Sequence, residues 1–201
     1  GAELIVNINA SPFHAGKCAF REDMIAQRAS ENSLTVAHVN TVGGQDELVF
    51  DGGSTNCDPA GGLVARGPAF QESLLITDLS FPSQAKENPA NAGAGVGTPK
   101  TMTVSEAGAE IKSSLEAQTI LDAMNGPEEI YRALVMGTGD YLRKSGFTKA
   151  LIGLSGGVDS ALTATVAVDA LGKENVVGIT MPSRYSSEGS ISDSKKLADN
   201  L

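Results

Sequence analysis

The residues best suited to chemistry lie together between positions 155 and 160. The stretch Ser155-Gly156-Gly157-Val158-Asp159-Ser160 follows one apolar run and opens a second run that has helical spacing. Glycines let the backbone approach an oxyanion closely, and the free N–H groups and dipole of a helix N-terminus attract negative charge. The two serines add hydroxyl donors, and Asp159 could hold a metal ion. The sequence therefore predicts an anion site at this turn.

A strand, a helix and a second strand must position the turn. Residues 150–155 and 176–181 are predicted as strands, with a connecting helix over residues 158–171. Such a βαβ unit is right-handed, and ligands bind at the carboxyl ends of its strands. The turn and the residues that follow Met181 are thus expected on the same rim of a parallel sheet.

The first 80 residues carry short apolar runs between turns rich in Gly, Pro and Asp. Strands are predicted at residues 3–9, 35–42, 47–50, 63–65 and 73–78, a helix at 20–32, and turns at 43–46 and 51–54. The run at 3–9 is nearly all apolar, which predicts a buried strand. Together these elements indicate part of an α/β sandwich.

The character of the chain changes between residues 81 and 126. Prolines and a patch rich in Gly, Ala and Asn predict a linker or loosely structured excursion here, with a helix over residues 105–124. The predicted domains are therefore residues 1–80, this linker at 81–126, and a second domain at 127–201.

The second domain is predicted to begin with a helix. Pro127 suits the first helical position, and two acidic residues follow it. Ile130, Leu134 and Tyr141 would form the packed face. Gly137 and Gly139 would weaken the helix by about 1 kcal/mol each relative to alanine.

Composition and charge exclude several classes of protein. The 201 residues carry a net charge of −9, which argues against a nucleic-acid partner. Two cysteines are too few for a disulfide framework or a zinc cluster. No apolar run reaches the roughly 18 residues that span a bilayer, so we expect no membrane partner and a reducing, cytoplasmic setting. Because Gly1 leads directly into an apolar strand, we interpret the chain as the interior of a longer one.

The glycine turn resembles the PP-loop of the N-type ATP pyrophosphatases. Neither the GxxxxGK[ST] nor the GxGxxG phosphate motif fits the turn. The resemblance implies that the loop binds the β and γ phosphates of ATP while a substrate oxygen attacks the α phosphate, and that Mg²⁺ is bound by Asp159. The implied ATP-binding residues are Gly153, Leu154, Ser155, Gly156, Gly157, Val158, Asp159 and Ser160.

The residues around the turn are similar to those of glutamine-dependent NAD synthetase. The similar stretches are residues 129–134, 140–141, 144–147 and 181–190. In the first half, residues 1–6, 11–17, 28–29 and 43–54 resemble the carboxyl part of the nitrilase-like glutaminase domain of that family. The implied fold class is α/β: the C-terminal part of a nitrilase-like αββα sandwich, followed by the start of a Rossmann-like PP-loop domain with a parallel sheet.

The resemblance also assigns glutamine-binding roles to Ser11 and Lys17. Lys17 would contact the α-carboxylate as a point charge and Ser11 would supply a hydrogen bond. The family's catalytic Glu, Lys and Cys are expected upstream, so no catalytic residue is assigned in this chain. Cys18 is interpreted as a residue at a helix start, Cys57 as a turn residue, and His38 as a packed, hydrogen-bonded strand residue.

The activity implied by the resemblance is the ATP-dependent amidation of deamido-NAD to NAD, with ammonia taken from glutamine, in a homo-oligomer. Two alternatives stay open: another PP-loop amidotransferase similar to GMP synthetase, and a non-catalytic ATP-binding remnant. Without its upstream and downstream parts, each sheet should leave an exposed apolar edge. The chain by itself is expected neither to hydrolyse glutamine nor to make NAD.

Overall fold

The computed structural model describes residues 2–81, 113–115, 117–124, 126–184 and 187–201, which form two α/β halves. The elements are β1 (Leu4–Asn9), α1 (Lys17–Asn32), β2 (Thr35–Asn40), β3 (Val42–Gln45), β4 (Leu48–Asp51), β5 (Thr55–Cys57), β6 (Leu63–Arg66), α2 (Gly126–Lys144), β7 (Ala150–Gly153), α3 (Val158–Leu171), β8 (Val176–Ile179) and α4 (Glu188–Asn200). The α/β class expected from the sequence is confirmed. No helix within the described ranges is long and apolar enough to cross a membrane.

A four-stranded sheet in the order β1-β2-β5-β6 forms the first half. β1 and β2 are parallel, and the other two strand pairs are antiparallel. α1 covers one face because Ile25 and Ala29, which lie one helical turn apart, pack on Val36 and Cys57. This small cluster is the core of the half.

The strand β1 lies at an edge of this sheet, with its side chains exposed. All six of its residues are exposed, and Ile8 is 82% exposed. The prediction of a buried strand at 3–9 is therefore wrong for this chain. No described element covers the two faces of β1, and its exposed side chains agree with the uncovered apolar edge that we expected.

β3 and β4 form a separate antiparallel hairpin. The prediction of a turn at 43–46 is wrong, because β3 continues through Gln45 and the reversal occurs at Asp46, whose φ is 50°. Paired glycines usually mark turns. Here they lie in a strand, where their lack of side chains lets another element come close.

Two short segments of the first half differ from prediction. β5 was not expected, and it places Cys57 in a strand rather than a turn. Residues 73–78, predicted as a strand, form none, and Leu74 is 86% exposed. The segment is held instead by a side-chain hydrogen bond, in which Asn56 Nδ2 donates to Thr77 Oγ1 at 2.7 Å.

Residues 119–121 of the predicted linker lie beside Arg66, the last residue of β6. Residues 113–115 and 117–124 are not helical, so the helix predicted over 105–124 is wrong there, and residues 105–112 and 116 of that prediction lie outside the described residues. The N–H of Arg66 donates to the Thr119 carbonyl at 2.9 Å, and the Leu121 N–H donates to the Arg66 carbonyl at 3.2 Å. These contacts fasten the segment to the edge of the first sheet.

The predicted βαβ unit is present in the second half. β7 and β8 pair in parallel, from Ala150 opposite Val176 to Gly153 opposite Ile179, and α3 connects them. α4 follows, with Ser187 as its N-cap, and the Ser187 side chain accepts from the Ser190 N–H.

The packed face of α2 is not the one predicted. Ile130, Leu134 and Tyr141 are each about half exposed, whereas the buried residues of the helix are Glu129, Ala133 and Gly139. The reason is that α2 packs on two neighbours, the β3–β4 hairpin of the first half and α3 of the second. Both contacts are close, and they use small or polar residues.

Candidate functional site

The glycine turn connects β7 to α3, as the sequence predicts. Gly156 is left-handed with φ 80°, and Gly157 is the extended N-cap of α3. The Ser155 N–H donates to Ser160 Oγ at 3.2 Å, and the Gly157 N–H donates to Ser155 Oγ at 3.3 Å. Two backbone N–H groups and two hydroxyls thus lie together at a helix N-terminus, where a phosphate could bind if these internal hydrogen bonds were exchanged for bonds to its oxygens.

A neighbouring helix fixes the path of this turn. A Cβ added at Gly156 would lie 2.6 Å from both the Cα and the carbonyl oxygen of Ser190, in the first turn of α4. Backbone atoms cannot rotate away from such an overlap as a side chain could. Only glycine fits here, for its left-handed φ and for its size.

A cleft of about 230 Å³ opens beside the turn. It is lined by residues that follow β7, residues that follow β8, and the start of α4: Gly153, Leu154, Ser155, Thr180, Met181, Pro182, Ser190, Ile191 and Ser194. The ends of both strands therefore lie on one rim, as expected for a parallel sheet. Residues 185 and 186 of the predicted rim lie outside the described residues.

Asp159 lies in the first turn of α3 and is exposed. Within the described ranges, no group of three or more His, Cys, Asp or Glu side chains could hold a metal ion. A single carboxylate is nevertheless sufficient for Mg²⁺ when substrate phosphates supply further oxygens. The residue type and position of Asp159 fit that use.

Ser11 and Lys17 lie at the two ends of the loop between β1 and α1. Lys17 Nζ donates to the Pro12 carbonyl at 2.6 Å, so the ammonium folds back over the loop. The Ser11 N–H donates to Asn40 Oδ1 at 2.8 Å. The structure therefore gathers both predicted glutamine-binding residues into one loop.

A buried polar network that the sequence did not reveal supports this loop. Arg21 and Asp51 form an ion pair with an Nη2–Oδ2 distance of 2.7 Å, and their side chains are 3% and 2% exposed. Asn40 Nδ2 donates to Asp51 Oδ1 at 3.2 Å, which connects the pair to the amide that holds Ser11. The sequence did contain a signal for this network, because Arg21 lies on the same helical stripe as the apolar residues of α1, and a buried arginine is almost always paired with an acidic residue.

The cysteines and His38 are buried in the same half. Burial raises the pKa of both thiols, so Cys18 and Cys57 stay protonated and inert, which agrees with incidental roles. His38 is packed as predicted, but neither of its ring nitrogens has a hydrogen-bond partner among the described residues. Burial, together with the Arg21 charge, lowers the pKa of His38.

α2 joins the two halves through the backbone of Gly44. The Gly44 N–H donates to Asp140 Oδ2 at 2.6 Å, and its carbonyl accepts from Lys144 Nζ at 2.5 Å. Burial alone would raise the pKa of Asp140, but the Gly44 N–H and the Arg143 guanidinium outweigh it and lower that pKa. The backbone N–H and carbonyl of one residue are thus bound by side chains of opposite charge.

A second contact across the halves involves the loop of Ser11 and Lys17. The Gly16 N–H donates to Glu129 Oε2 at 3.3 Å, and Glu129 is 4% exposed. From the sequence, Glu129 was predicted as an acidic residue of a helix start and as part of the stretch 129–134 that carries the family resemblance, with no contact to the first half. The signal that it missed is the stripe Glu129, Ala133, Gly137, Asp140 and Lys144, which has helical spacing and faces the first half.

Two family models match the chain. A model described as carbon-nitrogen hydrolase matches residues 1–85, and one described as NAD synthase matches residues 130–201. The first match contains the loop of Ser11 and Lys17, and the second contains the glycine turn.

Several curated relatives match the chain along its whole length. The glutamine-dependent NAD(+) synthetase of Aquifex aeolicus is 45% identical over 100% of this chain and 36% of that relative. The corresponding synthetase of Thermotoga maritima is 41% identical over 100% of this chain and 35% of that relative. The chain therefore spans about a third of the length of the curated relatives that it matches.

Solved structures give the same result for the fold. A glutamine-dependent NAD+ synthetase from Acinetobacter baumannii, solved with ADP, aligns with a TM-score of 0.75 and 31% identity over 99% of this chain and 32% of that one. A glutamine-dependent NAD(+) synthetase from Cytophaga hutchinsonii aligns with a TM-score of 0.71 at 19% identity, over 100% of this chain and 35% of that one. The second likeness concerns the fold alone.

Proposed function

We propose that the chain is about a third of a glutamine-dependent NAD(+) synthetase, because residues 1–85 match the carbon-nitrogen hydrolase model and residues 130–201 match the NAD synthase model. The whole enzyme would be a carbon–nitrogen ligase that amidates deamido-NAD with ammonia released from glutamine. Its domains within the chain are residues 1–80, the connecting segment 81–126 and residues 127–201. Homo-oligomeric assembly and the cytoplasmic setting stay predictions.

The observation that carries the proposal is the pairing of two different sites in one chain. A glycine turn that resembles the PP-loop follows a parallel strand of the second half, and the loop of Ser11 and Lys17 lies in the part that matches the carbon-nitrogen hydrolase model. An amidotransferase of the GMP synthetase type would share the first feature. The nitrilase-like half therefore favours an NAD synthetase over that alternative.

In the proposed reaction, the glycine turn holds the leaving group. The N–H groups of Ser155 and Gly157 and the hydroxyls of Ser155 and Ser160 would bind the β and γ phosphates, whose negative charge grows as pyrophosphate leaves. Asp159 would bind Mg²⁺, which when present neutralises part of the phosphate charge. The neighbouring cleft between the ends of β7 and β8 would receive the rest of the nucleotide.

In the first half, the loop would bind glutamine rather than cleave it. Lys17 would contact the α-carboxylate through its remaining donors, and Ser11 would add a hydrogen bond. The nucleophilic Cys and its Glu and Lys partners would come from residues before this chain. Cys18 is not proposed as that nucleophile, because it directly follows Lys17 at the start of α1, which is not the nucleophile's place in the family, and because burial raises the pKa of its thiol.

The test is NAD formation by the full-length protein that contains this chain. With ATP, Mg²⁺, deamido-NAD and ammonia, we expect NAD and one pyrophosphate per turnover, and no pyrophosphate when xanthosine monophosphate replaces deamido-NAD. Asp159→Asn should reduce the rate at least tenfold, as does removal of one group that stabilises developing charge. Activity with xanthosine monophosphate, or no activity with either acceptor, would contradict the proposal.

The isolated chain provides a further check. We expect it to release no ammonia from glutamine, since the proposed nucleophile is not among its residues. Glutaminase activity in the purified 201-residue chain would show that Cys18 or Cys57 acts as the nucleophile, and it would overturn the proposal that the nucleophile lies outside the chain.

A further inference from the structure

The amino end of α1 is capped from the other half of the chain. Its N-cap is Gly16, which has no side chain, and its first turn contains no acidic residue. Helix N-termini favour a nearby carboxylate. That carboxylate comes from Glu129 of α2, whose Oε2 accepts from the Gly16 N–H at 3.3 Å.

Glu129 is buried, which makes this contact costly to break. A carboxylate that is 4% exposed loses most of its hydration, and hydrogen bonds must replace it. The adjacent Glu128 provides a contrast: its side chain is 62% exposed and forms a loose ion pair with Arg132 at 3.7 Å. Two neighbouring acids on one helix thus have different environments, and only Glu129 reaches the first half.

The contact lies at the end of the loop that carries both proposed glutamine ligands. Gly16 immediately precedes Lys17, so the position of its N–H fixes where the Lys17 backbone enters α1. The Lys17 ammonium in turn donates a hydrogen bond to the Pro12 carbonyl at 2.6 Å. A shift of Gly16 therefore moves the lysine and the loop together.

α2 also supports this loop through the β3–β4 hairpin. A Cβ at Gly137 would lie 3.0 Å from Val49 Cγ2, and the Val49 carbonyl accepts from the Phe13 N–H at 2.7 Å. On its other side, α2 is bound to α3, the helix that the glycine turn opens, since Tyr131 Oη donates to Asp169 Oδ2 at 2.5 Å. α2 therefore contacts both the hairpin that supports the Ser11–Lys17 loop and α3, the helix that begins at the glycine turn.

We propose that Glu129 is a positioning residue for glutamine binding: from the synthetase half, its carboxylate holds the Gly16 end of the Ser11–Lys17 loop. This role rests on the proposed function of the loop. It makes glutamine affinity depend on the docking of α2, so a movement of that helix in the synthetase half alters the glutaminase half.

The experiment is the substitution Glu129→Gln in the full-length protein, with NAD formation measured separately with glutamine and with ammonia. The new side chain at position 129 has nearly the same shape as glutamate, but it forms a neutral hydrogen bond in place of a charge-assisted one. We expect the KM for glutamine to rise about fivefold to tenfold. The kcat with saturating glutamine and both constants with ammonia should change less than about twofold, because the substitution alters no residue of the glycine turn or of the cleft beside it.

Glu128→Gln is the matched control, since it changes the neighbouring acid, and its glutamine KM should not move. Amide hydrogen exchange gives a readout independent of activity: the peptide that contains Gly16 should exchange faster in Glu129→Gln and not in Glu128→Gln.

The outcomes separate the two proposals. An unchanged glutamine KM in Glu129→Gln would overturn the role of Glu129. Equal losses with glutamine and ammonia would also overturn it, because they indicate a purely structural role. Absence of ammonia-dependent NAD formation in the unaltered protein would overturn the proposed function itself.

Discussion

Gly156 is the position in the glycine turn where one added carbon should do the most harm. Its φ of 80° costs a residue with a Cβ about 1–2 kcal/mol. The new Cβ would also lie 2.6 Å from two backbone atoms of Ser190, and forcing such an overlap costs typically about 1–3 kcal/mol. Gly156→Ala should therefore destabilise the region by about 2–5 kcal/mol.

The adjacent Gly157→Ala is the matched control. Gly157 has an ordinary φ of −90°, and a Cβ there would lie 3.4 Å from Ser155 Oγ, which is a normal contact. Alanine is a poorer N-cap than glycine, so we expect a loss of about 1 kcal/mol or less. Both variants add one Cβ to neighbouring glycines. A difference between their stabilities therefore reports the local φ and the distance to α4, and not the change from glycine to alanine itself.

The assay is thermal unfolding of the chain, followed by ATP titration of the full-length protein. Gly156→Ala should lower the Tm by about 4–20 °C, against at most about 2–4 °C for Gly157→Ala. ATP affinity should fall at least tenfold in Gly156→Ala, since α4 must move or the turn must give up its geometry. Equal Tm losses in the two variants would refute the argument from the close approach of α4.

Two further predictions concern the buried residues of the first half. Arg21→Ala leaves the buried Asp51 carboxylate without its ion-pair partner and should lower the free energy of unfolding by about 3–5 kcal/mol in urea unfolding. Arg28→Ala, which removes an exposed ion pair, should lower it by less than about 1 kcal/mol. Equal losses in the two variants would show that the buried pair is solvated. His38 has a pKa below its ordinary 6.5 because of burial and the Arg21 charge, so the folded state stays neutral while the unfolded state takes up a proton. The midpoint of urea unfolding should therefore be highest above about pH 6.5 and should fall as the pH decreases below that value. In His38→Gln, the plot of this midpoint against pH should have a smaller slope. An unchanged slope in the variant would assign the pH dependence to other groups.

The sequence was most informative where structure is set locally. The βαβ unit and its glycine turn follow from residues close together in the chain: a short apolar run, a Gly-Gly turn and an apolar stretch with helical spacing. These features do not depend on what packs around them. The same holds for α1, whose inward stripe of Ile25 and Ala29 could be read from its spacing.

Prediction failed where the outcome depends on distant residues. β1 was expected to be buried because it is apolar, yet exposure depends on which elements cover it, and none of the described ones does. Glu129 was overlooked because its partner Gly16 lies 113 residues away. His38 was expected to be hydrogen-bonded, but the donors of the nearby Arg21 are directed to Asp51 and Gly52.

The glycines of α2 show how such a distant contact reverses an argument from propensity. Taken alone, Gly137 weakens the helix by about 1 kcal/mol relative to alanine. In the fold, an alanine at that position would place its Cβ 3.0 Å from Val49 Cγ2, while Cα of Gly137 would itself lie 3.2 Å from a Cβ at Gly44. Overpacking at such a contact costs typically about 1–3 kcal/mol, which equals or exceeds the propensity gain. The glycine whose low helix propensity weakens α2 is therefore what lets the helix approach β3 closely enough for Asp140 to accept from the Gly44 N–H and for Lys144 to donate to the Gly44 carbonyl.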